Sequence, residues 1–112
     1  MGVVVLGLAI FLLVALPPAM SKYDSATKDR VLSMVARELP PNATMAEVDV
    51  FMRRHTVRYA FDDQRVFEYS GYLPQTGLDR ILADREVELI LKVNRGSKTF
   101  KSAEVIIDYT GP

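Results

Sequence analysis

Val87, Leu89, Leu91 and Val93 occupy alternate positions with Glu88 and Lys92 between them, and this spacing constrains the chain more than any other feature. Successive side chains of a strand point to opposite faces, so the pattern makes a strand with one apolar and one polar side. A one-residue slip would turn the whole apolar set to water, so its register is strongly specified. Strands of this kind build antiparallel sheets covered on one face. Ala103, Val105, Ile107 and Tyr109 repeat the pattern against Glu104 and Asp108, with Ile106 the exception on the polar side. Asn94-Arg95-Gly96-Ser97 reads as the turn between these two strands. Val57, Tyr59 and Phe61 alternate with Arg58 and Ala60, and Phe67 and Tyr69 continue the alternation beyond a turn at Asp62-Asp63-Gln64. Residues 56–61 and 65–70 therefore read as a hairpin. Residues 71–85 read as a connection rich in Gly, Pro and Asp, with a short helix at Leu78–Ala83.

Upstream the period is helical. Asp24 to Glu38 reads as a first helix, with Leu32, Val35, Ala36 and Leu39 on one side, ended by Pro40-Pro41. Thr44-x-x-Glu47 is a capping box that opens a second helix, in which Val48, Phe51 and Met52 form the apolar stripe. Arg53, Arg54 and His55 close it, where cations suit the negative helix end. The expected fold is α+β: two N-terminal helices packed on one face of a four-stranded antiparallel sheet, as one domain over 22–112.

Residues 1–21 contain no Lys, Arg, Asp or Glu, and Val3 to Met20 is an unbroken uncharged run. As a helix it would extend about 27 Å at about 1.5 Å per residue, just short of the ~30 Å hydrocarbon core. Pro17-Pro18 shortens the dense apolar part to Val3–Leu16, the length of a signal-peptide core, and Ala19 and Ser21 supply small residues at a cleavage spacing. No basic residue precedes the run, while Lys22, Lys28 and Arg30 follow it. The segment is expected to be a signal peptide or, if uncleaved, a membrane anchor through residues 3–20. A buried core helix is the remaining alternative. The domain is accordingly expected to be exported, periplasmic or membrane-anchored.

All 14 basic and 14 acidic residues lie in 22–112, so the domain is neutral, and nucleic acid is not an expected partner. The chain has no cysteine, which excludes a disulfide framework, a thiolate metal site and a cysteine nucleophile. Leu73-Pro74-Gln75-Thr76-Gly77 spells a sortase signal, but charged residues from Asp79 to Glu88 follow it where an apolar stop is needed, so it reads as a loop. His55 is the lone histidine and reads as a polar helix end; a hydrolase would need an acid and a serine gathered beside it. The acids at 62, 63, 79, 84, 86 and 88 do not have calcium-loop spacing, and no phosphate-cradling Gly-rich loop is present. No catalytic residue, cofactor or metal is expected. Arg53, Arg54, Arg58 and Arg65 read as a solvated helix end plus outward strand residues, with a gathering near one end of the sheet that could bind an anionic group as the alternative; Tyr69 and Tyr72 flank the long loop. Of these, Tyr69, Tyr72, Arg53 and Arg54 are the expected partner contacts.

The stretch Leu39-Pro40-Pro41-Asn42-Ala43-Thr44-Met45-Ala46-Glu47-Val48, preceded by a helix and followed by strands up to Tyr109-Thr110-Gly111-Pro112, resembles the SmpA/OmlA group. These are small outer-membrane lipoproteins associated with β-barrel assembly, and the β-lactamase inhibitor protein has similar helix-helix-sheet units. The chain lacks the lipobox cysteine of the first and the disulfides of the second. The resemblance implies the architecture and export. The expected function is a non-catalytic binding or scaffold module whose partner is another protein at the membrane or cell envelope. The alternative is an inhibitor or immunity-like protein that blocks an enzyme through loop 71–85 and the exposed sheet face.

Overall fold

The computed structural model describes residues 22–75 and 85–109. Residues 22–38 are helical (α1), Met45–His55 form α2, and four strands follow: β1 Arg58–Asp62, β2 Glu68–Tyr72, β3 Arg85–Val93 and β4 Phe100–Tyr109. The chain divides into two compact units at Arg30/Val31, and the sheet, α2 and the last turns of α1 belong to the second. The apolar run at 3–20 and the short helix expected at Leu78–Ala83 lie outside the described residues. Among the described residues, no helix is long and apolar enough to cross a membrane.

The four strands form one antiparallel sheet in the order β1-β2-β3-β4. Register lines up Phe61, Tyr69, Leu91 and Ala103 in one row and Tyr59, Gly71, Leu89 and Val105 in the next, all on a single face. Val48, Phe51 and Met52 from α2, and Val31, Val35 and Leu39 from the end of α1, join that face in one buried cluster. The α1 stripe differs from the expected one. Leu32 and Ala36 are exposed, while Val31, spaced by four from Val35 and Leu39, takes the inner position. Both sets fit a helical period, and only the surface packed against the helix decides between them.

The local chemistry explains the element ends. Leu39 N–H bonds Val35 O, and Pro40-Pro41 then stops α1. Asn42 reverses the chain at φ 63, a conformation asparagine tolerates. Thr44 and Glu47 complete the capping box of α2. Phe100 N–H donates to Ala43 O at 2.8 Å, which ties the helix connection to the start of β4.

The first hairpin is shifted from its expected bounds. Val57 lies outside the strand and is 71% exposed. The turn runs through 63–66, closed by the Asp62 carboxylate, which accepts from the backbone N–H of Gln64 and Arg65 at 3.0 Å each. Phe67 has φ 52, so it belongs to the reversal and β2 starts at Glu68. Its ring still reaches the inner face, edge-on to Phe61 at 5.0 Å. The second turn extends one residue further than expected: Lys98, at φ 55, donates to Asn94 O, and Asn94 N–H bonds Thr99 O.

Candidate functional site

Tyr72 is the last residue of β2 and points away from the core, because it alternates with the inward Gly71. Register places it between Arg58 on β1 and Glu88 on β3, with Ile106 of β4 next in the row. The Arg58 guanidinium lies over its ring, 5.2 Å from the centroid, a cation–π geometry. The Glu88 carboxylate, and more weakly Glu86, raise the Tyr72 phenol above its ordinary value; Arg58 acts in the opposite sense. Two surface grooves share this pair. One, of about 510 Å³, is lined by Val57, Arg58, Tyr72, Leu73, Pro74, Gln75 and Glu86. The other, of about 280 Å³, continues along the strands over Ala60, Ser70 and Glu88.

Tyr69, expected beside Tyr72 at the loop, lies in the core instead. Its place opposite Leu91 and Phe61 turns the ring inward, where it is 5% exposed. Its hydroxyl donates to Met45 O at 3.4 Å, and burial, followed by Asp49 and Tyr59, raises the phenol. A residue two positions from Tyr72 shares its face in a continuous strand, but a residue three positions away does not.

The arginines are separated rather than gathered. Arg58 and Arg65 stand at opposite ends of β1. Arg53 pairs with Asp49 at 2.8 Å within α2, and Arg54 reaches Glu38 of α1 at 3.3 Å. Arg53 and Arg54 are both exposed at the end of α2. His55 Nε2 lies 2.8 Å from the other Glu38 oxygen. The His55 ring is the largest cause that holds the Glu38 carboxyl below its ordinary value; burial opposes it and Arg54 adds to it. Phe51 packs on the same imidazole at 4.6 Å. Glu38 and Arg54 border a groove of about 340 Å³ lined also by Leu39, Ala46, Glu47, Val50 and Phe51. Among the described residues, no three of His, Asp and Glu are grouped to hold a metal ion.

The connection 71–85 is shorter than expected, since Gly71 and Tyr72 end β2 and Arg85 begins β3. Leu73 N–H bonds Val87 O, so the first loop residue still follows the ladder. Thr76 and Gly77 of the sortase-like spelling lie outside the described residues. Tyr72 was an expected partner contact and Arg58 one of the arginines singled out from sequence, but Glu88 was not, and neither was the grouping of the three in one row. The signal for that grouping was parity: once β1, β2 and β3 are in register, the three fall on the polar face together.

Comparison with family models, curated proteins and solved structures finds no match to this chain.

Proposed function

We propose that the chain is a non-catalytic binding module of the membrane or cell envelope, delivered there by residues 3–20 as a signal or anchor. The observation that carries this reading is the Arg58–Tyr72 pair between two grooves on the face of the sheet opposite the core. Tyrosine and arginine dominate the energetics of protein interfaces, since each combines a large apolar contact with a directional polar end. The helix-helix-sheet order and the apolar leader support a likeness to the SmpA/OmlA group, and with it export. The inhibitor or immunity-like reading uses the same surface and is favoured by the Leu73-Pro74-Gln75 rim of the larger groove.

The test has two parts. Mass spectrometry of the mature N-terminus after cell fractionation fixes the compartment, with the envelope expected. Pull-down from solubilised membranes then compares wild type with Tyr72→Ala. A defined protein enriched by wild type and lost with the variant is the expected result, and inhibition of a captured enzyme would select the alternative. Equal recovery by both proteins, or none by either, sinks the reading.

A further inference from the structure

We infer that the outer face of the sheet docks a basic protein segment. This rests on the binding-module reading and specifies the charge of the partner. The chain as a whole is neutral, with 14 basic and 14 acidic residues. Its outer sheet face is not. Register puts Asp62, Glu68, Glu86, Glu88, Glu104 and Asp108 there, against Arg58 and Lys92 alone. Lys101 sits at the irregularity beside Lys92/Val93 and has no register partner.

The imbalance is concentrated at the Tyr72 end. Asp62 has Arg65 and Arg95 nearby, and Glu104 has Lys92 at 3.8 Å. Two acid pairs stand directly opposite each other, Asp62 with Glu68 and Glu86 with Asp108; the first has Arg65, Arg95 and, in register with Glu68, Lys92 beside it, and the second has no basic register partner. Like charges in that position destabilise a sheet, so a surface shaped for solvation alone would avoid the second pairing, whereas a cation laid between Glu86 and Asp108 relieves it. Glu88 is the largest cause of the raised Tyr72 phenol, with burial and Glu86 adding to it. Among the described residues no three acids are grouped to hold a metal ion, and the outer-face carboxylates stand along neighbouring strands, an arrangement that suits several ammonium or guanidinium groups at strand spacing. Arg58 over Tyr72 shows how a partner guanidinium can use the aromatic surface, and the flanking grooves admit the long apolar stems of Arg and Lys.

The full chain, isotope-labelled in a zwitterionic detergent, is titrated with an eight-residue peptide of alternating arginine and threonine and with its glutamate counterpart. NMR shifts should move at Tyr72, Glu88, Ile90 and Ile106 with the arginine peptide only. The double variant Glu86→Gln/Glu88→Gln should bind about tenfold more weakly or worse, because two charge contacts are lost. Shifts centred on α2, binding of the glutamate peptide, or an unchanged double variant would overturn the inference. The native partner is then trapped in host membranes by a photoreactive side chain at position 60, exposed on the outer face beside Tyr72, with position 50 as the comparison. A trapped segment of net positive charge supports the inference. A neutral or acidic segment at position 60, or adducts from position 50 alone, overturns it and leaves the binding-module reading standing. No protein adduct from either position sinks both.

Discussion

The Tyr59 hydroxyl on β1 donates to Asp49 Oδ1 on α2 at 2.8 Å, and this bond joins the edge strand to the helix that covers it. The second oxygen of the same carboxylate holds Arg53 at 2.8 Å. The phenol is half-buried while the guanidinium is exposed, so the two bonds differ in worth. Tyr59→Phe should cost about 1–2 kcal/mol, as expected for a partly buried bond to a charged acceptor. Arg53→Ala should stay within about 0.5 kcal/mol, because an exposed i,i+4 pair contributes little. A double-mutant cycle of Tyr59→Phe and Asp49→Ala by urea unfolding measures the coupling, and a coupling near zero would show that the bond does not join the layers.

Gly71 lies on the inner face, where a Cβ would meet Tyr59 Cβ at 2.8 Å, Arg58 O at 2.9 Å and Met52 Cε at 2.9 Å. Met52 can swing aside, but the Arg58 carbonyl belongs to the paired strand and cannot. Gly71→Ala should therefore destabilise by about 1–3 kcal/mol through overpacking. Gly96, in the turn, has no neighbour within 4 Å of a built Cβ, and Gly96→Ala should change stability by about 0.5 kcal/mol or less. Thermal unfolding of the two variants side by side decides the matter, and equal midpoints would refute the close approach of helix and sheet at Gly71.

Leu89 is 0% exposed at the centre of the inner face, and Lys92 is exposed on the outer one. Leu89→Ala should cost about 2–5 kcal/mol, against a total of about 5–15 kcal/mol for a domain. Lys92→Ala should cost within about 0.5 kcal/mol. Urea midpoints with unchanged slopes provide the comparison, and matching midpoints would mean that the faces are assigned wrongly.

Glu38 gives a pH dependence with a definite sign. Its folded carboxyl lies below the ordinary value of 4.5, held there first by the His55 ring and then by Arg54. The unfolded chain therefore takes up the proton first as pH falls. The stabilisation from Glu38 is full above about pH 4.5 and is lost as pH drops through the lower folded value. Glu38→Gln should be less stable than wild type at pH 6, and the difference should shrink below pH 4. A gap that widens in acid would reverse the assignment.

The α+β order, the inward set Val87, Leu89, Leu91 and Val93, and the capping box at Thr44 and Glu47 were legible from sequence, because each follows from a short period or a local hydrogen-bonding need. The same reasoning placed Val48, Phe51 and Met52 in the core. It failed where two local solutions were equally good. Val31 and Leu32 both fit the α1 stripe, and Phe67 fitted a strand as well as a turn. Tyr69 and Tyr72 looked alike beside the loop until register turned one ring inward and the other outward.

Arg85 marks a further limit. It is almost fully buried, on the same inner face as Val87, although nothing in its neighbourhood in sequence distinguishes it from a solvated strand charge. Periodicity reports which residues share a face, and that information is local. Which face is covered, which strands are neighbours, and hence that Glu86 meets Asp108 or that Tyr59 meets Asp49, depends on contacts between segments far apart in the chain. Those contacts exist only once helices and sheet have buried their apolar sides against one another. Sequence by itself therefore determined the elements and their apolar sides, while the outer-face row of Arg58, Tyr72 and Glu88 was decided by strand order and register.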